Sequence, residues 1–228
     1  VSRDVESIVE EVKFLDSKGV KEITLLGQNV NSYHSEYQGK EVGFPELLEI
    51  ITPYMKNILW VRFESPHPKD FSSRLISVIR DNPKVAKHIH LPMQSGSSRI
   101  LKLMNRHTTR EAFIELLDRM RSEIKDLTFS TDVIVGFPSE TEEEYFETLS
   151  MMEIMGCTEA FMYYFNPREG TRAYDMEGQL DEKTKVKRLE RLINEQLERQ
   201  KRIKTSELPF EAQGIVTTIS RDDKDRYL

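Results

Sequence analysis

Short apolar segments alternate with longer amphipathic segments along almost the whole chain, and this alternation constrains the fold more than any other feature. Five segments rich in β-branched and aromatic residues are predicted as strands: 22–26, 59–64, 86–91, 128–135 and 159–165. Segments with apolar residues at helical spacing lie before, between and after them: 4–18, 45–54, 71–80, 97–105, 110–123, 141–155 and 181–204. Because parallel neighbouring strands need such crossover connections, this order predicts an α/β fold with parallel strands.

Polar motifs follow the carboxyl ends of successive strands, which favours a β/α barrel or part-barrel over an open doubly wound sheet. The first predicted element is a helix, so we expect the first strand of that barrel to be missing from this sequence. Residues 1–205 are predicted as one incomplete barrel domain. Residues 206–228 are predicted as the start of a further β domain, because 210–220 has a strand pattern.

The composition narrows the classes of function. The one cysteine, Cys157, can make neither an intramolecular disulfide nor a metal site with several thiolates. No apolar run approaches the roughly 20 residues of a membrane span, so no membrane partner is expected. The sequence shows no basic-then-apolar leader, and we expect a cytoplasmic location.

The charge is unevenly distributed. The net charge of −6 argues against a nucleic-acid binder that uses its whole surface. Residues 181–204, however, carry nine Lys or Arg and five Asp or Glu, a local charge of +4 that leaves −10 for the remainder. This basic strip either meets RNA phosphates or is a solvated helix with i,i+4 pairs such as Glu195–Arg199 and Glu198–Arg202.

The strand-end motifs offer polar groups for a small ligand, but no covalent nucleophile. Phosphate-loop, dinucleotide and nucleophile-elbow motifs are absent, so the reactive group is expected to come from elsewhere. His88 and His90 share one face of a predicted strand. With Asp132 as a further ligand, they leave a metal-dependent hydrolase as an alternative function. Ser139-x-x-Glu142 fits a capping box for the helix that follows.

Taken in order, five stretches resemble the radical S-adenosylmethionine core of the methylthiotransferase family over almost the whole chain: 25–33, 65–70, 88–106, 133–141 and 166–171. The resemblance implies a six-unit partial (β/α) barrel, here without its first strand, followed by a TRAM β domain. The GQNVNSY form of residues 27–33 is similar to the branch that adds a methylthio group to carbon 2 of N6-isopentenyladenosine beside the tRNA anticodon. The alternatives are the branch that acts on ribosomal protein S12 and a non-enzymatic RNA-binding module.

The resemblance also implies the cofactors and partners. These are S-adenosylmethionine, two [4Fe–4S] clusters, tRNA and an electron donor such as a flavodoxin-type protein. The family holds its clusters with cysteines that are absent from this sequence, so the chain by itself is expected to bind no cluster and to be inactive. Accordingly no catalytic residue and no metal ligand is predicted within it.

By motif position, the resemblance implies two sets of site residues. The cofactor-binding set is Gly27, Gln28, Asn29, Gln94, Ser95, Arg106, Ile134, Gly136 and Phe137. Within it, Gly27 to Asn29 are expected at the methionine end of S-adenosylmethionine, Gln94 and Ser95 near its ribose, Arg106 near its carboxylate, and Ile134, Gly136 and Phe137 near its adenine. The substrate set, expected to face the target nucleoside, is Ser65, His67 and Arg168.

Overall fold

The computed structural model describes residues 2–64, 66–206 and 214–215. In chain order the elements are α1 (Val5–Ser17), β1 (Glu22–Leu25), β2 (His34–Tyr37), β3 (Lys40–Gly43), α2 (Phe44–Ile51), β4 (Trp60–Phe63), α3 (Ser73–Asp81), β5 (His88–His90), α4 (Ser98–Leu103), α5 (Arg110–Glu123), β6 (Thr128–Val135), α6 (Glu142–Met155), β7 (Glu159–Tyr164) and α7 (Glu182–Ser206). All five predicted strands and all seven predicted helices are present, with ends shifted by at most a few residues. The strand predicted for 210–220 lies outside the described residues, apart from 214 and 215.

The five predicted strands pair in parallel, as the alternation of strands and helices predicts. β1 pairs with β4, and β5, β6 and β7 form a three-stranded sheet in that order. The two sheets meet where Val61 bridges Val85 and accepts a hydrogen bond from the Ala86 amide at 3.1 Å. The strand order is therefore β1-β4-β5-β6-β7, and all five carboxyl ends lie at one edge.

A short antiparallel hairpin, β2–β3, follows the first strand-end loop and is not predicted from the sequence. Its two-residue turn places Gln38 and Gly39 at φ values of 52° and 75°. Positive φ values at both turn residues are typical of tight hairpin turns, because such turns match the twist of the two flanking strands.

The two faces of β6 differ in burial, and this difference positions the site. Phe129, Val133 and Val135 lie in the hydrophobic core between the sheet and the helices. Residues of the opposite parity, such as Asp132 and Ile134, are only half-buried and face a cavity. We call this second face, shared by β4 to β7, the inner face.

The helix α6 begins two residues later than the capping pattern predicts. Its N-cap is Thr141, whose hydroxyl accepts from the Glu144 amide at 3.3 Å. The Glu144 carboxylate in turn accepts from the Thr141 amide at 2.9 Å. The predicted Ser139–Glu142 box is thus wrong, because the residue pair with the same spacing two positions later makes both bonds.

The last helix, α7, is a packed element rather than a solvated strip. The predicted pairs Glu195–Arg199 and Glu198–Arg202 are wrong, because both arginines bind Glu153 on α6 at about 3 Å. Arg199 is buried, as is Leu192 on the same helix. Within the described residues no helix is long and apolar enough to cross a membrane.

Candidate functional site

The inner face forms one wall of a cavity of about 770 Å³. It is lined by Arg62, Glu64, His88, His90, Thr128, Ser130, Asp132, Thr158, Glu159, Phe161 and Tyr163. Two of these, Phe161 and Tyr163 on β7, are 51% and 54% exposed, which is high for aromatic side chains on a strand. This inner-face cavity therefore combines polar side chains with two uncovered aromatic rings.

A ladder of hydrogen bonds crosses the floor of this cavity. His88 Nδ1 shares a hydrogen bond with Thr128 Oγ1 at 2.8 Å, and its Nε2 shares one with Ser130 Oγ at 3.1 Å. His90 Nδ1 also contacts Ser130 Oγ, at 3.0 Å, and its Nε2 lies 3.3 Å from Asp132 Oδ2. Each ring nitrogen of both histidines thus already has a partner on the neighbouring strand.

The two histidines differ in their electrostatic surroundings. The hydrogen bond to Asp132 raises the pKa of His90 above its usual value of 6.5. Burial lowers the pKa of His88, because it disfavours the charged ring. Among the described residues no three His, Cys, Asp or Glu side chains are arranged to hold a metal ion. The geometry therefore gives no support to the metal-dependent hydrolase.

A second cavity, of about 460 Å³, continues the inner face to the carboxyl ends of the strands. It is lined by Gln94, Leu103, Met104, Asn105, Arg106, Ile134, Phe137, Phe165, Arg172 and Ala173. Since side chains on a strand alternate, Ile134 follows Asp132 on the same face, and Phe165 follows Tyr163. We call this space the carboxyl-end cavity.

The turn after β6 shapes the apolar wall of the carboxyl-end cavity. The rings of Phe137 and Phe165 meet edge to face, with centroids 4.9 Å apart. Gly136 adopts a φ of +74°, and a Cβ there would lie 2.5 Å from Cγ of Lys185. This position therefore requires glycine. Any other residue would be strained at this φ, and its Cβ would collide with Lys185 of α7.

A buried ion pair holds this turn. Oε2 of Glu140 accepts from the Gly136 amide at 2.7 Å and from Arg188 of α7 at 2.6 Å. Both side chains are almost fully buried, and Oε1 of Glu140 and Nε of Arg188 have no hydrogen-bond partner within the described residues. Burial raises the pKa of Glu140, an effect that outweighs the opposing attraction of Arg188. The sequence motif gives no sign of this pair, because its two members lie 48 residues apart.

The Gln-Ser-Gly-Ser motif after β5 serves mainly to pack its loop against α6. A Cβ on Gly96 would lie 2.4 Å from the carbonyl oxygen of Glu147, so glycine allows a close backbone approach. Ser97 caps α4 through a hydrogen bond from the Ile100 amide. Of this motif, Gln94 faces the carboxyl-end cavity.

The loops after β1 and β4 are tied together. The side-chain amide of Asn31 donates to the His67 carbonyl at 3.0 Å, and its oxygen accepts from the His67 amide at 2.8 Å. Gly27, Gln28 and Asn29 line a separate cavity of about 620 Å³ beside α1. Two adjacent strand ends are therefore fixed relative to each other by one asparagine.

The predicted site residues fall into distinct groups. Gln94, Arg106, Ile134 and Phe137 meet around the carboxyl-end cavity, and Gly136 supports its wall. Ser95 does not face it, because the side chain is 1% exposed and its hydroxyl lies 3.4 Å from that of Thr148.

Among the residues predicted to face the substrate, Ser65 lies outside the described residues. His67 is half-buried, whereas Arg168 is exposed and lines neither the inner-face nor the carboxyl-end cavity. Of the two residues of this set that the structure describes, neither lines one of the two cavities of the inner face.

The residues of this chain fit S-adenosylmethionine better than they fit an iron–sulfur cluster. The carboxyl-end cavity offers an apolar aromatic wall for a flat base, with Arg106 and Arg172 for a carboxylate. A [4Fe–4S] cluster takes several cysteine thiolates. Cys157, the one cysteine, is buried, and burial raises the pKa of its thiol. These 228 residues therefore do not hold the cluster themselves.

The sequence of this chain is similar to those of known proteins. A family model described as the radical SAM superfamily matches residues 1–152. The chain is 43% identical over 197 residues to the tRNA-2-methylthio-N(6)-dimethylallyladenosine synthase of Treponema pallidum (strain Nichols), covering 85% of the chain and 43% of that protein. It is 51% identical over 194 residues to the synthase of the same name from Bacteroides fragilis (strain YCH46), covering 84% of the chain and 42% of that protein. The chain thus spans less than half the length of either relative.

Among solved structures, a radical S-adenosylmethionine methyltransferase from Kitasatospora setae superposes with a TM-score of 0.54 at 15% identity. The match covers 71% of this chain and 31% of that one. At this level of identity the likeness concerns the fold alone.

Proposed function

The chain belongs to the radical SAM superfamily, as its motifs predict, and on that premise we propose that it is the S-adenosylmethionine-binding part of a tRNA methylthiotransferase. The enzyme would add a methylthio group to carbon 2 of N6-isopentenyladenosine beside the anticodon. The observation that carries the proposal is the 43% to 51% identity to synthases of that name. The carboxyl-end cavity supports it, because four of the predicted cofactor residues line that one space.

In this proposal, three residues of the carboxyl-end cavity take part in binding the cofactor. When bound, S-adenosylmethionine supplies the methyl group and the radical chemistry. Ile134 and Phe137 would cover its adenine, since both are apolar and lie at the same wall. Arg106 would bind its carboxylate through two N–H groups. This chain needs no covalent nucleophile, because its residues bind, orient and exclude water.

The inner-face cavity is the proposed place of the target base. It adjoins the carboxyl-end cavity along the same side of β6 and β7, so a base there would lie next to the cofactor. Phe161 and Tyr163 present exposed rings on which a purine can stack. Asp132 and Glu64 line the same space as hydrogen-bond acceptors for an exocyclic N–H.

Other features of the proposed enzyme rest on the resemblance. These are the partial barrel, the TRAM domain, the flavodoxin-type electron donor and the cytoplasmic location. They remain part of the proposal.

The target is tested with the full-length protein, reconstituted with iron and sulfide. We expect methylthiation of tRNA that carries N6-isopentenyladenosine and none of ribosomal protein S12, measured by mass spectrometry. Modification of S12 instead of tRNA would overturn the proposal.

Cofactor binding is tested separately with Arg106→Ala. We expect this change to weaken S-adenosylmethionine binding about 10- to 100-fold, because a hydrogen bond to a charged group is worth about 1.5–3 kcal/mol. Equilibrium dialysis measures the affinity without requiring turnover. Arg74→Ala is the control, since Arg74 is an exposed arginine on α3 paired with Glu49. Equal affinities in both variants would contradict the role of Arg106.

A further inference from the structure

A groove of about 750 Å³ opens beside the carboxyl-end cavity and gathers positive charge. Five of its lining residues carry basic side chains: Lys69, Arg99, Lys102, Arg106 and His107. They come from the loop after β4, from α4 and from the loop that follows α4. We call this feature the basic groove. It stands out because the chain as a whole carries a net charge of −6.

Most of these basic groups have no acidic partner. Arg99 binds Glu144 at 2.6 Å, but Lys69, Lys102, Arg106 and His107 make no ion pair within the described part of the chain. Two acids, Glu111 and Asp70, lie near the groove, and each accepts a hydrogen bond from a serine hydroxyl without losing its negative charge. Neither is among the described residues that line the groove, and every charged side chain in that lining is basic. The lining of the groove is therefore positively charged.

The neighbouring His67 reports on this charge. Burial is the largest cause that lowers its pKa, and Asp70 opposes the shift. The charges of Lys69, Arg106 and His107 then lower the pKa further. The same three residues line the basic groove beside this ring.

The rival surface for RNA is the basic helix α7, and each of its four arginines is in an ion pair. Arg188 binds Glu140 and Glu142, whereas Arg199 and Arg202 bind Glu153. Exposed lysines such as Lys183 and Lys187 remain on this helix. None of the residues that line the inner-face and carboxyl-end cavities comes from α7.

We propose that the basic groove binds the sugar–phosphate backbone of tRNA next to the nucleotide whose base enters the inner-face cavity. This inference rests on the proposed function. Arg106 lines both the groove and the carboxyl-end cavity, so a strand in the groove leads directly to the reaction site. Lysine and arginine side chains bind phosphates without reading sequence, and they fix the position of the nucleic acid.

The test reverses charge in the groove without touching Arg106. In the full-length protein, the double variant Lys69→Glu/Lys102→Glu is compared with Lys183→Glu/Lys187→Glu on α7. Both variants change the net charge by the same amount, and all four lysines are exposed. The probe is tRNA carrying N6-isopentenyladenosine, and fluorescence anisotropy measures its affinity from low to moderate salt.

We expect the groove variant to bind tRNA more weakly at every salt concentration, with the slope of log K against log salt reduced by about 2. The α7 variant should bind tRNA like the wild type. Both variants should bind S-adenosylmethionine normally, which shows that the cofactor site is intact.

Three other outcomes would overturn the inference. Loss of affinity in the α7 variant alone would place the RNA on that helix. If both variants bind tRNA with unchanged affinity and the wild type methylthiolates tRNA normally, the groove does not bind tRNA, whereas the proposed function still stands. If the wild type instead binds and modifies ribosomal protein S12, the proposed function itself fails and the groove serves a protein.

Discussion

At the scale of single residues, His88 and His90 show how one H-x-H motif divides into two environments. Both rings touch Ser130, yet only His90 also reaches Asp132. That carboxylate favours a protonated ring, whereas burial of His88 favours a neutral one. The same side-chain type therefore has a raised pKa at one position and a lowered pKa two residues away.

We expect Asp132→Asn to lower the pKa of His90, because the charged hydrogen-bond partner is lost, and to change that of His88 much less. Histidine resonances followed by NMR between about pH 4 and 9 measure both values. The raised pKa also predicts a stability effect. The His90–Asp132 pair stabilises the folded protein fully below the unfolded pKa of about 6.5, and this contribution is lost as the pH rises through the folded pKa of His90.

The control for this titration is Glu22→Gln, which removes a carboxylate from the exposed pair with Arg62. It should leave the pKa of His90 near its wild-type value. A His90 pKa that stays equally high in Asp132→Asn would contradict the assignment of the shift to that carboxylate.

The limits of prediction from sequence are clear at this scale. Strand parity and motif position suffice to bring Ile134 and Arg106 to one cavity. They do not show that Ser95 turns to Thr148, because its partner lies on a helix about 50 residues later. Nor do they reveal Glu140 and Arg188, since charged residues in a sequence are expected at the surface.

At the scale of elements, the sequence predicts the helices more accurately than the hairpin β2–β3. Helices such as α5, over Arg110–Glu123, begin and end where the apolar spacing indicates. The hairpin β2–β3 is missed because its strands are polar and its turn has Gln38 before Gly39, whereas Asn or Asp usually precedes such a glycine. Its structure depends on packing beside α1 and α2 rather than on local propensity.

The packing of α7 depends on the buried Arg188, and this gives a prediction at the scale of elements. We expect Arg188→Met to destabilise the full-length protein by about 3–5 kcal/mol, because it leaves the buried carboxylate of Glu140 without its partner. The double variant Glu140→Leu/Arg188→Met should recover most of that loss, since each member of the pair has an unsatisfied atom. Urea unfolding followed by circular dichroism measures both.

An exposed pair on the same helix serves as the control. Arg191 and Glu195 are paired at the surface, so Arg191→Met should cost less than about 1 kcal/mol. Equal destabilisation by Arg191→Met and Arg188→Met would show that burial does not decide the effect. A double variant less stable than Arg188→Met would show that the pair is strongly favourable.

At the scale of the whole molecule, the alternation of strands and helices is enough to predict parallel strands with their carboxyl ends at one edge. It does not tell which face of the sheet the helices cover, because the strands carry apolar residues on both parities. The structure resolves this: Phe129 lies in the core, whereas Phe161 is 51% exposed on the inner face. Phe129 therefore contributes to the core, whereas Phe161 is available to contact a ligand.

We expect this difference to separate stability from activity in the full-length protein. Phe161→Ala should lower the stability by at most about 1 kcal/mol, because surface substitutions cost little. It should raise the KM for tRNA about tenfold or more, because stacking of a base on an aromatic ring is worth about 1–3 kcal/mol. Phe129→Leu, a milder substitution of a phenylalanine in the core, should lower the Tm and leave the KM of the folded fraction unchanged. If Phe161→Ala methylthiolates tRNA with the wild-type KM, the target base does not stack on the inner face.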